Sequence, residues 1–417
     1  AIQDLIKADL IAAGHDISSG GLITALLEMC FAEQNLAAEI DLSDLKETDL
    51  VKLLFAENSG VLIQVKNTEA ATALLDEAGI AYSNIGYAKE SKEISIRNMD
   101  SYFHMGVAEL RDIWYKTSYL LDKKQSGVNK AKERFDSYKN SPLEFTFPES
   151  FKGKLADMGL NPNRKDASGL KAAIIREKGS NSEREMAYAM HLAGFDVKDI
   201  HMTDLMSGRE DLTDVNFIAA VGGFSNSDVL GSAKGWAGAF KYNDKARTSL
   251  ENFMKREDTL SLGICNGCQL LVELDMVYPE HEAAHPKMLH NDSHKFESGF
   301  VNVEIPENHS VLFGSLAGSR LGVWVAHGEG KFQLPKNESD YHIVAKYSYE
   351  AYPANPNGSD FNTAAMASKD GRHLVMMPHP ERSIFPWNWA HYPDREDEVS
   401  PWIEAFVNAK KWVENKK

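Results

Sequence analysis

One of the three cysteines in the chain, Cys265, stands in a pattern suited to covalent chemistry. It lies in the stretch Gly-Ile-Cys-Asn-Gly, after a short apolar run and before a second apolar set with helical spacing. Glycines at 263 and 267 allow a sharp turn from a strand into a helix, the cysteine form of a nucleophile elbow. At a helix N-terminus, the dipole and the free backbone N–H groups favour a thiolate and can bind an oxyanion. We therefore predict that Cys265 is a nucleophile.

Two other interpretations of Cys265 stay open from its surroundings alone. A small buried hydrophobic side chain after a strand would also suit a cysteine. Cys265 and Cys268 together form C-x-x-C, a spacing found in redox sites and in half of a zinc site. Because the third cysteine of the sequence is Cys30, a four-cysteine zinc site is excluded.

The stretch Met-Pro-His-Pro-Glu-Arg near the C-terminus offers a base for such a nucleophile. His379 and Glu381 stand two residues apart in an extended, proline-containing segment, so both side chains can project to one side. A histidine oriented by a carboxylate is what a cysteine nucleophile requires. The alternative interpretation is a structural histidine in a surface loop.

A second histidine pair, His281 and His285, matches the zinc-binding pattern H-E-x-x-H. The pattern binds zinc only on a helix, where both imidazoles share one face. Pro279 and Pro286 bracket the motif, and the residue before a proline is disfavoured in helical conformation. We therefore expect no zinc site here.

The helices and strands that must position these residues can also be predicted from the sequence, and their pattern indicates an α/β fold. From Lys171, apolar strands alternate with helices in the pattern of a doubly wound, mainly parallel sheet, and after Val277 the sequence becomes rich in strands. Functional loops in such sheets follow the carboxyl ends of strands. Gly222-Gly223-Phe224-Ser225 and Cys265 both occupy that edge, so we expect them to face one site.

The first hundred residues predict a separate α/β domain. Its turn His-Asp-Ile-Ser-Ser-Gly-Gly at 15–21 leads into a helix and would place N–H groups near a phosphate. A plain turn capped by Ser18 or Ser19 explains the same residues, and the sequence alone favours it. Residues 109–121 predict an amphipathic helix, and residues 122–140 a solvated basic connector. The predicted domains are 1–100, a helical and irregular connector at 101–165, and 166–417.

The composition narrows the class of protein. The chain has 61 acidic and 45 basic residues, which gives a formal net charge of −16. This negative charge argues against nucleic acid as a partner. No apolar run reaches the roughly 18 residues of a membrane span. The three cysteines and the absence of a signal-like N-terminus predict a cytoplasmic protein. Because the chain begins at Ala1 in helix-like sequence, we expect a fragment.

With these motifs in order, the chain closely resembles the C-terminal part of the long-form phosphoribosylformylglycinamidine synthase family. The matching stretches are IIREKGSNSEREMAYAMHLAGFDVKDIHMTDL, VGGFSNSDVLGSAKGWAGAF, GICNGCQLL, VAHGEGKF and MMPHPERSIFPWNW, with HDISSGGL and LFAENSGVLIQV in the first domain. The resemblance implies a PurM-like C-terminal α/β domain followed by a flavodoxin-like class I glutamine amidotransferase domain. It covers the chain apart from a weakly matched connector.

The resemblance also implies roles for individual residues. Cys265 would attack the side-chain amide of L-glutamine, His379 would transfer protons, and Glu381 would orient His379. Residues implied to hold the oxyanion or to lie close to glutamine are Gly223, Phe224, Asn266, Gln269, His327 and Glu329. Residues of the first domain implied to contact a nucleotide are Asp16, Ser19, Gly20 and Gly21.

By the same resemblance, ammonia passes to a synthetase half that uses ATP and Mg²⁺ to convert formylglycinamide ribonucleotide into the amidine. The main ATP site and most of that half lie outside this chain, and the glutaminase step requires no cofactor. Ser19 stands where the family pattern has an acidic residue, Asn226 and Ser227 where Tyr-Gly is common, and Gly299 where Arg is usual. An interaction module that docks on a synthetase and has little activity of its own is the alternative function.

Overall fold

A computed structural model describes residues 1–33 and 35–416 of the chain. The chain divides into two compact units, residues 1–124 and residues 125–417. No helix in the described ranges combines the length and the apolar character that crossing a membrane requires. The finer division predicted at residues 100 and 165 stays a prediction.

The first unit is an α/β structure built on two small sheets. Its elements are α1 (Ile2–Lys7), β1 (Ile11–Ile17), α2 (Gly21–Cys30), β2 (Leu36–Asp41), α3 (Leu50–Phe55), β3 (Gly60–Val65), α4 (Thr68–Glu77), β4 (Gly86–Glu90), β5 (Glu93–Asn98), β6 (Ser101–Gly106) and α5 (Val107–Gln125). Strands β1 and β3 pair antiparallel, and the second sheet has the order β4-β2-β5-β6. Its core contains Leu26, Ile40, Ile94 and Ile96, which line the face between α2 and the larger sheet.

The second unit contains the elements that carry the predicted site. They are α6 (Gly127–Ser137), β7 (Lys171–Arg176), α7 (Glu183–Ala193), β8 (Asp196–His201), α8 (Met202–Ser207), β9 (Phe217–Ala220), α9 (Lys234–Tyr242), α10 (Asp244–Lys255), β10 (Leu260–Ile264), α11 (Asn266–Glu273), β11 (Lys287–Leu289), β12 (Glu297–Glu304), β13 (Arg320–His327), β14 (Lys331–Gln333), β15 (His342–Tyr347), β16 (Thr363–Ala367), β17 (His373–Met376) and α12 (Ile403–Lys416). The α/β fold class predicted from the sequence is confirmed.

One nine-stranded sheet organises this unit, in the order β13-β12-β15-β16-β17-β10-β9-β7-β8. The pairs β7–β8, β7–β9, β9–β10 and β10–β17 are parallel, whereas the strands from β16 to β13 pair antiparallel. The strand-rich C-terminal third therefore extends the same sheet. Buried apolar side chains cover both faces, with Met186 and Phe406 in one cluster and Trp236 and Leu250 in the other.

The basic stretch after α5 differs from its prediction as a solvated connector. Residues Gly127–Ser137 form α6, and this helix lies against the loop that contains Tyr352. The Arg134 guanidinium bonds the Tyr352 hydroxyl and lies over its ring, with 4.6 Å from Cζ to the ring centroid. The guanidinium also contacts Glu297 Oε2 at 3.4 Å. Partners more than 150 positions away along the chain thus stabilise a helix that has little apolar surface.

Candidate active site

The turn between β10 and α11 has the geometry predicted for a nucleophile elbow. Cys265 adopts φ +52° and ψ −107°, a conformation that costs a non-glycine residue free energy and is typical of functional turns. A Cβ at Gly267 would lie 1.9 Å from the Ala220 carbonyl oxygen, and a Cβ at Gly263 would lie 2.6 Å from the Gly267 oxygen. Both glycines are therefore required because backbone segments approach too closely for a side chain.

His379 reaches the cysteine because β17 runs parallel to β10. Ile264 and Met376 pair in register at the ends of these strands, and the Cys265 N–H donates to the Met376 oxygen at 2.9 Å. Beyond β17 the chain turns, and the His379 N–H donates to the Trp324 oxygen at 2.9 Å. This places the imidazole beside Cys265, whose Sγ donates to the Ala326 oxygen at 3.6 Å.

Glu381 orients the imidazole from the other side. His379 Nδ1 donates to Glu381 Oε1 at 2.7 Å, so that Nε2 remains for the cysteine. Cys265, His379 and Glu381 are 5%, 1% and 2% exposed, which excludes bulk water from the three groups. Burial opposes charge on the imidazole, but the Glu381 carboxylate and the Cys265 sulfur outweigh burial and raise the pKa of His379.

The glycine-rich loop after β9 forms the next wall of the site. A Cβ at Gly222 would lie 2.8 Å from His379 Cε1 and 3.4 Å from Cys265 Cβ, so Gly222 lies directly against both groups. Gly223 adopts φ +117°. The N–H of Phe224, which we expected to face an oxyanion, donates instead to the Gly179 oxygen at 2.9 Å. In this conformation Phe224 therefore contributes no free donor.

A chain of side-chain amides joins this loop to the elbow and to residues His327–Gly330, named here the HGEG loop. The Ser225 N–H donates to Asn266 Oδ1 at 3.2 Å, and Asn266 Nδ2 donates to Gln269 Oε1 at 3.0 Å. Gln269 Nε2 then donates to the Glu329 carbonyl oxygen at 2.8 Å. Asn266, Gln269 and Glu329 are thus brought together beside Cys265.

Within the HGEG loop, His327 is a buried and uncharged residue. Asn357 Nδ2 donates to His327 Nε2 at 3.1 Å, which assigns the ring proton to Nδ1. Burial, together with the charge on His379, lowers the pKa of His327 to about 3. Since the side chain is 2% exposed, His327 contributes to the packing behind the site and not to its open surface.

Asp228 belongs to the same site, although sequence reasoning did not single it out. Three consecutive non-glycine residues, Asn226, Ser227 and Asp228, have φ between +49° and +57°, and this strained turn directs Asp228 toward Glu329. Ser232 bridges the two carboxylates, because its Oγ donates to Asp228 Oδ2 at 3.1 Å and its N–H contacts Glu329 Oε2 at 3.3 Å. Burial and the nearby Glu329 charge raise the pKa of Asp228.

The segment 15–21, predicted to be a turn that contacts a nucleotide, belongs to the first unit, where residues 15–17 end strand β1 and only residues 18–20 form the turn before α2. Gly20 and Gly21 have φ of +87° and +73°, and α2 begins without a serine side-chain cap. The Gly20 N–H donates to Glu57 Oε1 at 2.8 Å. A carboxylate of the protein thus takes the position that a phosphate would need, while Asp16 and Ser19 lie exposed nearby.

The two histidines of the H-E-x-x-H pattern do not share a helix face. Glu282 between them has φ +43° and ψ −111°, which breaks the short helical segment, and His285 is extended before Pro286. His281 stacks on Tyr278 with 4.7 Å between ring centroids, and His285 Nδ1 lies 3.4 Å from Asp275. Within residues 1–33 and 35–416, no group of three or more His, Cys, Asp or Glu side chains is arranged to hold a metal ion.

Comparison with known families agrees with this geometry. Residues 169–413 match the family model described as "CobB/CobQ-like glutamine amidotransferase domain", which is more than half of the chain. The chain belongs to this glutamine amidotransferase family. Residues 1–97 match the model "AIR synthase related protein, C-terminal domain". Between the two matches lies the segment that contains α5 and α6.

Individual relatives are similar to this chain over almost its whole length, beyond the residues that match the amidotransferase family model. Phosphoribosylformylglycinamidine synthase of Homo sapiens is 38% identical over 446 residues, covering 99% of this chain and 33% of that protein. The "Probable phosphoribosylformylglycinamidine synthase, chloroplastic/mitochondrial" of Arabidopsis thaliana is 38% identical over 444 residues, covering 99% and 31%. The Dictyostelium discoideum synthase is 36% identical over 475 residues, covering 100% and 34%. The chain thus spans about a third of the length of these relatives.

Proposed function

We propose that this chain is the glutaminase portion of a phosphoribosylformylglycinamidine synthase, and that it hydrolyses L-glutamine to supply ammonia. The observation that carries the proposal is the buried arrangement of Cys265 at the tip of an elbow, His379 beside it, and Glu381 bonded to His379 at 2.7 Å. The family match and the names of the relatives support the same reaction. The glutaminase step needs no cofactor in this proposal.

The proposed reaction uses Cys265 as the nucleophile and His379 as the acid and base, while Glu381 holds His379 in place. The Cys265 thiol passes its proton to His379 and its sulfur attacks the amide carbon of glutamine, and the oxyanion that forms is held by the N–H groups of Gly223 and Asn266. His379 gives its proton to the amide nitrogen, the C–N bond breaks, and ammonia leaves with a γ-glutamyl thioester on Cys265. His379 then takes a proton from water, which attacks the thioester and releases glutamate.

The amino-acid end of glutamine needs its own contacts, and the carboxylates of Asp228 and Glu329 supply them in our proposal. Across the described part of the chain, no lysine or arginine forms an ion pair with either carboxylate, and His290 Nδ1 lies 4.0 Å from Glu329. The α-ammonium of glutamine is a cation that two such carboxylates attract. The strained turn at 226–228 holds Asp228 in position for this contact.

The acceptor half of the reaction is assigned to sequence that this chain does not span. We propose formylglycinamide ribonucleotide and ATP with Mg²⁺ as substrates of that larger protein, by analogy with the relatives. The turn at 15–21 does not fit a phosphate in the conformation described, because Glu57 accepts the Gly20 N–H. No step of the glutaminase reaction is therefore routed through this turn.

Covalent labelling tests the proposal directly. We expect a diazoketone analogue of glutamine to modify Cys265, found by mass spectrometry of peptides, and excess L-glutamine to protect it. Cys265→Ser should abolish labelling and glutamate release. Cys268→Ser is the matched control, because Cys268 is fully buried and burial raises its pKa, and it should leave labelling at Cys265 unchanged. Labelling of Cys268 in place of Cys265 would contradict the assignment.

A further inference from the structure

Asn291 is a buried residue that bonds the HGEG loop and that the proposed reaction does not use. This residue lies between β11 and β12 and is 0% exposed. Its backbone N–H donates to the Gly328 oxygen at 2.9 Å. Its side-chain Nδ2 donates to the His327 oxygen at 2.7 Å, and its Oδ1 accepts the Gly330 N–H at 2.9 Å. Three of the four loop residues are thus bonded to Asn291.

The remaining polar groups of Asn291 are also paired. Nδ2 donates a second bond, to the Lys295 oxygen at 3.0 Å, and the backbone oxygen accepts the His294 N–H at 2.9 Å. This pattern fixes the orientation of the amide, because a flipped amide would direct its oxygen at two carbonyl oxygens. Aspartate in this position would create the same conflict, so asparagine is specifically required.

The HGEG loop needs such support because its own sequence gives it little rigidity. Gly328 and Gly330 leave the backbone free to adopt many conformations. Gly330 has to be glycine, since a Cβ there would lie 2.0 Å from His327 Cδ2. The position of Glu329, whose carbonyl oxygen accepts the Gln269 amide and whose carboxylate faces Asp228, therefore depends on contacts from outside the loop.

We infer that Asn291 is a positioning residue for glutamine: it holds the HGEG loop so that Glu329 and Gln269 recognise the amino-acid end of the substrate. The inference rests on the proposed glutaminase function. It makes no claim on the reactivity of the Cys265 sulfur, because Asn291 does not contact the elbow, His379 or Glu381. Loss of Asn291 should therefore impair recognition of glutamine and spare the intrinsic reactivity of the thiol.

Two electrophiles separate these properties in one variant. In Asn291→Ala, we expect labelling of Cys265 by the diazoketone analogue of glutamine to slow by about 10-fold or more, since its amino-acid end is no longer held. Labelling of Cys265 by iodoacetamide, which has no amino-acid end, should change less than about 2-fold. KM for glutamine should rise more than kcat falls.

Asn308 provides a matched control with the same bonding pattern. Its Nδ2 donates to the Pro306 and Phe313 oxygens at 2.8 and 3.4 Å, and its Oδ1 accepts the Ser310 N–H at 3.0 Å. It follows the far end of β12, a strand of eight residues that spans about 25 Å. Asn308→Ala should lower the melting temperature as a lost loop contact does, and leave both labelling rates unchanged.

Each outcome bears on the inference. The inference is supported if Asn291→Ala slows labelling by the glutamine analogue but not by iodoacetamide, and if Asn308→Ala slows neither. Equal slowing with both electrophiles would show a general disturbance of the site and overturn it, as would an unchanged rate with the analogue or the same effect in Asn308→Ala. Failure of the analogue to label the unaltered chain would instead contradict the glutaminase function, and the inference with it.

Discussion

At the scale of single residues, the site combines a strained nucleophile with a pair of neighbouring carboxylates. Cys265 and Asp228 both have positive φ without being glycine, at +52° and +49°. Such conformations persist only where surrounding structure enforces them. Burial raises the pKa of Asp228, and repulsion from the Glu329 carboxylate, which Ser232 bridges to Asp228, adds to this effect. A bound ammonium group would relieve it.

The contact between Asp228 and the substrate ammonium group can be tested with a substrate that lacks this group. Asp228→Asn should raise KM for L-glutamine about 10-fold, equivalent to ~1.4 kcal/mol of binding, because an amide no longer attracts the cation. KM for glutaramate, which is glutamine without its amino group, should stay unchanged. Asp211→Asn, on a surface loop where the carboxylate bonds Thr213, is the control. An equal rise in KM for both substrates would contradict the assigned contact.

At the scale of elements, the elbow can be predicted from sequence because its requirements are local. Gly263 and Gly267 flank the cysteine at fixed spacing, and α7 likewise ends at a glycine signal, since Gly194 follows Ala193 in a left-handed conformation. Strand β1 cannot be predicted in the same way, because its stretch Gly14-His15-Asp16 looks like the end of a helix. In the structure, the side chains of β1 nevertheless alternate between partly buried and exposed. Pairing with β3 overrides the low strand propensity of these residues.

The features that sequence reasoning misses share a physical reason. Helix α6 is predicted as a solvated stretch because its stability comes from Arg134 and Tyr352, which are distant in sequence. Asp228 and Asn291 lie in loops where aspartate and asparagine are common, and only the folded sheet brings them to the site. Side chains that act through long-range hydrogen bonds leave no local periodicity to detect.

The close approach of α11 to β9 gives an element-scale prediction. Gly267→Ala places a methyl group against the Ala220 carbonyl, so we expect the free energy of unfolding to fall by about 2 kcal/mol or more, with loss of labelling at Cys265. Gly299→Ala is the control, because no heavy atom lies within 4 Å of the position that its added methyl group would take. Urea unfolding of the two variants measures the difference. Similar stability in both would show that the elbow tolerates a side chain.

At the scale of the whole molecule, the sheet brings together loops from distant parts of the sequence. Loops after β9, β10, β13 and β17 meet at one site, although they are separated by up to 160 positions along the chain. The parallel half supplies the elbow and the glycine-rich loop, while β13 of the antiparallel half leads into the HGEG loop. The sequence predicted these strands from their apolar runs, whereas strand order depends on pairing between distant segments.

Because the chain spans only about a third of the length of its relatives, a prediction about the rate of glutamate release follows. In an enzyme with two sites, ammonia released before the acceptor is ready is lost, so we expect the glutaminase to be poorly organised until the synthetase half is loaded. The N–H of Phe224, bonded to Gly179 at 2.9 Å, is one group that such loading could redirect toward the oxyanion.

We predict that formylglycinamide ribonucleotide and ATP raise glutamate release by about 10-fold in a full-length relative, or ~1.4 kcal/mol of transition-state stabilisation. The same ligands should change the rate of this chain less than about 2-fold. Steady-state glutamate release, measured with and without both ligands, tests this. A several-fold stimulation of this chain would show that it contains an acceptor site of its own, and an unstimulated relative would show that the triad is organised without loading.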